Sequence, residues 1–90
     1  MALKYKELER VVRGYANHRR IQILEHLAAH PELSVAEVSA QLKIHFKTAA
    51  AHMQRLAIAG LVMKRNDANS VRHKLTTRGA SILKFLRTLA

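Results

Sequence analysis

Ninety residues without a cysteine suffice for one modest core and leave neither disulfides nor thiolate metal sites available. Hydrophobic residues are 49% of the chain, ample for that core, and no apolar run approaches the ~18 residues of a membrane span. The formal charge is +10, unevenly placed: six basic and five acidic residues up to Glu37, then ten basic residues against Asp67 alone. A lopsided excess marks a face suited to a polyanion, with nucleic acid ahead of an anionic membrane surface. The opening Met1-Ala2-Leu3-Lys4-Tyr5-Lys6-Glu7 alternates charged with apolar positions and has no signal-peptide core. A cytoplasmic protein is therefore expected.

In chain order, Leu3 to Ala16 place Tyr5, Leu8, Val12 and Tyr15 at helical spacing. Asn17 is an N-cap for a second helix, with Ile21, Leu24, Leu27 and Ala28 on one face and an end before Pro31. Leu33 leads as a short extended stretch into Ser34-Val35-Ala36-Glu37, a capping box in which hydroxyl and carboxylate each satisfy a free backbone N–H. The helix that it opens runs to about Leu42, with Val38 and Leu42 inward. A break at Lys43-Ile44-His45 precedes a helix from Phe46 to about Gly60, the glycine suiting a left-handed terminus. Strands near Leu61–Arg65 and Val71–Leu75 flank Asn66-Asp67-Ala68-Asn69-Ser70, a run of turn formers. On the second strand Val71, His73 and Leu75 share one face, while Arg72 and Lys74 point the other way. Thr76 caps a last helix. The fold class expected is mainly α with a small β-hairpin, a winged helix-turn-helix. Its order is two helices, a short strand, two helices, a hairpin and a helix.

Helix, short turn and helix over about residues 35–60 let one helix enter the major groove while its partner braces it on the backbone. At 100° per residue the second of these puts Phe46, Ala49, Ala50, Met53, Leu56, Ala57 and Gly60 on one side. The other side carries Lys47, Thr48, Ala51, His52, Arg55 and Ala59, and no acid occurs between Val38 and Asn66. An ordinary surface helix would interleave acids for pairing. Arg55 and Lys47 suit guanine O6 and N7, and Ala51 and the Thr48 methyl suit thymine methyls. The wing, about residues 61–75, adds Lys64, Arg65, Asn69, Arg72 and Lys74, placed for phosphates or the minor groove. Lys43 and His45 in the turn complete the DNA-binding set.

Asn17-His18-Arg19-Arg20-Ile21-Gln22-Ile23-Leu24, Leu33-Ser34-Val35-Ala36-Glu37-Val38, Thr48 to Leu56, Ala59-Gly60-Leu61-Val62 and Leu75-Thr76-Thr77-Arg78-Gly79 together resemble the ArsR-type winged-helix regulators. MarR-type regulators are close relatives. The resemblance spans roughly Asn17 to Leu86 and implies a transcription regulator that binds double-stranded DNA as a homodimer. Three positions depart from the family pattern: Lys43 stands where Gly is common, His45 where a Ser cap is common, and Ala50 where Ser is common. A looser turn and one fewer phosphate contact are expected. The cysteine-containing metal sites of the family have no counterpart.

Other chemistries find little support. His26 and His30 are four apart, yet His30 abuts Pro31 and no third ligand is evident. His18, His26 and His30 read as surface residues. No Ser–His–acid spacing, phosphate loop or carboxylate pair stands out, so neither catalysis nor a cofactor is expected, and the small core argues against a sizeable buried effector pocket. Leu3, Leu8, Val11 and Val12 in the first helix (about 3–16), and Ile82, Leu83, Phe85, Leu86 and Leu89 in the last (about 77–89), exceed what one core requires. They form the expected dimer seam of a single domain over residues 1–90. Two alternatives stay open: a nonspecific nucleic-acid-binding architectural protein, and a winged-helix module that binds protein. The first would show little preference among sequences, and the second would present an apolar rather than cationic face.

Overall fold

A computed structural model describes residues 4–90; Leu3, assigned above to the seam, lies outside them. The elements are α1 (Tyr5–Tyr15), α2 (His18–Ala29), α3 (Val35–Leu42), α4 (Phe46–Ile58), β1 (Val62–Asp67), β2 (Ser70–Leu75) and α5 (Thr77–Arg87). Each cap expected from the sequence forms. The Asn17 side chain accepts from the Arg19 and Arg20 N–H groups. Ser34 and Glu37 bond reciprocally at 3.2 and 3.0 Å, and the Thr76 hydroxyl accepts from Gly79 N–H at 3.0 Å. After α4 the Gly60 N–H reaches Ala57 O and the Leu61 N–H reaches Leu56 O, with Gly60 at φ 76°. That is a Schellman terminus, and glycine accepts its left-handed residue without steric cost.

The hairpin is longer and tighter than expected. β1 and β2 pair antiparallel from Val62↔Leu75 to Asp67↔Ser70, leaving only Ala68 and Asn69 at the tip. Ala68 takes φ 50°, a conformation that a tip this short imposes. The short strand before α3 is a single antiparallel bridge, Leu33↔His73, with N–H···O distances of 3.1 and 2.8 Å. This bridge ties the hairpin to the start of α3, and so fixes the wing relative to the helix-turn-helix.

The core joins Ile23, Leu24 and Leu27 of α2, Leu33, Val38 and Leu42 around α3, and Ala49, Met53 and Leu56 of α4. Leu61, Val62 and Leu83 close it. Three sequence expectations change here. Ile23 rather than Ile21 is buried on α2, and Ala28 is exposed, because α2 is gripped from two sides rather than along one stripe. Phe46 is 57% exposed, although Ala49 one turn on is fully buried. Leu83 is 2% exposed and belongs to the core, so it is unavailable to a seam. Val11 and Ile82 are partly buried against the same core. Leu8, Val12, Phe85 and Leu89 remain exposed.

Candidate nucleic-acid interface

The turn between α3 and α4 is held without glycine. Lys43 takes the left-handed conformation at φ 56°, which is costly for a residue with a Cβ. The Ser39 hydroxyl donates to Ile44 O at 2.6 Å, and the Ile44 N–H returns to Ser39 O at 3.1 Å. His45 occupies the N-cap of α4 with no side-chain cap bond, and the first turn has no acid. The departures at Lys43 and His45 therefore have the looser capping expected, and Ser39 compensates in part. With no cap and no acid, the positive end of α4 stays uncompensated toward solvent.

From this helix Lys47, Thr48, Ala51 and Arg55 are exposed together, with Gln54 and Ile58 beside them. Ile58 is 71% exposed. Ala49, Met53 and Leu56 are buried on the opposite side, so the division of faces expected from the sequence holds, apart from Phe46 and from Ala59, which is buried rather than exposed because Gly14 of α1 packs against it. His52 departs from it. It is half-buried, and its Nδ1 accepts from Arg20 Nε at 3.1 Å. Arg20 Nη1 also caps the end of α1 at Arg13 O and Gly14 O. Burial first, then the positive charges of Arg20, His18 and Arg19, hold the imidazole below its ordinary pKa. A neutral ring accepting at Nδ1 presents Nε2–H as a donor. His52 thus serves chiefly as a joint between α2 and α4.

The wing arginines are the larger surprise. Arg65 and Arg72 sit directly opposite each other in the hairpin, and both are engaged within the molecule. Arg65 Nε and Nη2 donate to the two Glu32 carboxylate oxygens, each at 2.6 Å. Arg72 Nη1 donates to Glu37 Oε1 at 2.7 Å. Asp67 lies 3.9 Å from Arg65 and 3.7 Å from Arg72. The fork of Arg65 holds the Glu32 carboxyl below its usual range. Glu37 is lowered first by the Ser34 backbone and side chain. The expectation that Arg65 and Arg72 are free for phosphates is therefore corrected: each balances an acid more than thirty residues away, and nothing local in the sequence signals it. Lys43, Lys47, Arg55, Lys64 and Lys74 are exposed and make no ion pair among the described residues. Asn69 is exposed at the tip.

Among the described residues no group of three His, Cys, Asp or Glu is arranged to hold a metal. His26 and His30 stack, and His26 Nδ1 lies 2.8 Å from Gln41 Oε1. Among the described residues no helix is long and apolar enough to cross a membrane.

A family model described as winged helix-turn-helix DNA-binding matches residues 17–63. No curated protein sequence matches the chain. Solved structures do. One is the homodimeric winged helix-turn-helix DNA-binding domain of Mb0332 from Mycobacterium bovis, described as a possible ArsR-family regulator. It superposes with a TM-score of 0.86 at 26% identity over 99% of this chain and 89% of that one. HlyU from Vibrio cholerae gives 0.82 at 31% identity over 99% and 97%. Oxidized MarR from E. coli gives 0.77 at 20% over 94% and 65%, a likeness of fold. The family model spans more than half of the chain, and turn, reading helix and wing are all in place, so the protein belongs to the winged helix-turn-helix DNA-binding family.

Proposed function

We propose that the protein is a transcription regulator that binds double-stranded DNA sequence-specifically, as a homodimer in the cytoplasm, and acts by occupying its site rather than by catalysis. The carrying observation is the exposed face of α4, where Lys47, Thr48, Ala51 and Arg55 meet solvent with no acid on the helix. That face suits the major groove, with Lys47 and Arg55 reading base edges. Lys43 and His45 flank it at the turn, and His52 offers one donor from behind. Lys64, Lys74 and Asn69 are the wing groups for backbone or minor groove, with Arg65 and Arg72 bracing the wing. The described residues form one domain, with the helix-turn-helix over 35–60 and the wing over 61–75.

The homodimer is supported by Leu8 and Val12 on α1, Phe85 on α5 and Leu89 in the turn just after it, all exposed, and by the homodimeric Mb0332 domain. Leu86, Val11 and Ile82 are partly buried. Two reading helices related by a two-fold axis address half-sites about 34–36 Å apart. Selection from a random duplex library tests the reading, with one enriched palindrome as the expected result. With three to five phosphate contacts per subunit, the log–log salt slope of a dimer is about −5 to −9. Enrichment of no sequence, with affinity intact, would make it a nonspecific coating protein.

A further inference from the structure

Behind the C-terminal half of α4, where α1 crosses it, lies an open cleft of about 490 Å³. Gly14 brings the helices together: a Cβ there would collide with the Ala59 side chain. Arg10, Arg13, Arg20 and Arg55 line the cleft, with Ile58 and Ala59 as its apolar part. No acid is among the lining residues. Arg13 has only an exposed pairing with Glu9 at 3.2 Å, a bond of the kind that water and competing ions readily exchange. Arg20 is held in place by Arg13 O, Gly14 O and His52. Four arginines lining one concavity without an acid make it attractive to an anion, and the planar guanidinium fork matches phosphate geometry.

We propose that this cleft binds a small organic phosphate, a monoester of a compact apolar alcohol, and that its occupancy withdraws Arg55 from DNA. The volume is in the range of small-ligand sites. Ile58 and Ala59 provide a contact for an apolar body that a duplex backbone lacks. Arg10 lies about 160° around α1 from both Leu8 and Val12 at 100° per residue, so a seam on those residues leaves the cleft open. The site is a surface cleft, consistent with a core too small to enclose a ligand. The binding itself is independent of the DNA reading; only the effect through Arg55 rests on it.

The test uses the full chain with phenyl phosphate as probe and benzyl alcohol as neutral control, at constant ionic strength. In amide NMR spectra phenyl phosphate is expected to give saturable shifts confined to residues 10–20 and 55–60, with none from benzyl alcohol. The double variant R10Q/R13Q is expected to weaken this binding at least tenfold while duplex affinity changes less than threefold. Phenyl phosphate is also expected to weaken duplex binding by the parent protein at least threefold, and not by R10Q/R13Q. Lys47→Ala, on the exposed part of α4, checks independence: it weakens duplex binding and leaves phenyl phosphate binding unchanged. Diffuse, non-saturating shifts overturn the site. If R10Q/R13Q loses duplex affinity while phenyl phosphate fails to saturate, the cleft holds a DNA phosphate and the small-ligand assignment is overturned. Saturable binding without any effect on duplex affinity overturns the coupling through Arg55. Failure of the protein to bind any duplex would overturn the DNA reading and leave the phenyl phosphate result standing.

Discussion

Glu32→Gln is the perturbation that separates a wing that braces from a wing that grips. In the folded protein the Arg65 fork is filled by both Glu32 oxygens at 2.6 Å, and Asp67 at 3.9 Å adds a second negative charge. An arginine so engaged releases no DNA counterions, whereas a freed one releases roughly 0.9 per phosphate contacted. Two protomers each gaining one contact steepen the log–log salt slope by about two. Glu32→Gln is therefore expected to tighten duplex binding at low salt for preferred and scrambled sequences alike, because phosphate contacts position without specifying. Arg65→Ala, by the same reasoning, shifts the slope by less than about half a unit. Fluorescence anisotropy of a labelled duplex at five or six salt concentrations measures both. If Arg65→Ala makes the slope shallower by about two while Glu32→Gln leaves it unchanged, Arg65 abandons Glu32 for DNA and the bracing role is wrong.

Leu83→Ala is expected to cost about 2–5 kcal/mol in urea melts, since the side chain is 2% exposed and its loss opens a cavity. Leu89→Asp, at a position 67% exposed, is expected to leave the fold of a protomer intact and to shift sedimentation toward monomer. His73 is 2% exposed, and burial lowers its pKa despite the Leu33 carbonyl beside it; His52 is lowered as well. Folding favours the neutral ring in both, so their stabilising contribution is complete above the unfolded value near 6.5. It is lost as pH falls from there toward the lowered folded values, by at most about 1.4 kcal/mol per pH unit for each ring. Thermal melts from pH 8 to pH 5 check this, and a flat profile below 6.5 would contradict it. Lys43→Gly relieves the left-handed residue and is expected to stabilise by about 0.5–1 kcal/mol. The same variant removes one phosphate contact from each protomer and is expected to make the DNA salt slope shallower by about two per dimer.

What the sequence determined by itself is whatever is settled within one or two helical turns. Asn17, the Ser34–Glu37 box, Thr76 and Gly60 act on backbone groups two to five residues away, and each acts as read. The apolar and cationic faces of α4 follow equally from its 3.6-residue period. The tertiary structure alone decided matters that depend on which surfaces meet. Leu83 and Phe85 are equally apolar neighbours on α5, yet one is buried in the core and the other is half-exposed, because only one side of that helix lies against α2 and the hairpin. Arg65 with Glu32, Arg72 with Glu37 and Arg20 with His52 pair across 33, 35 and 32 residues. A charge count registers those residues but not their partners. The arginine cleft exists only because Gly14 allows α1 to lie close on α4. Local hydrogen bonds are written in adjacent residues, whereas ion pairs and clefts are properties of packed surfaces, and packing brings together residues that the chain keeps far apart.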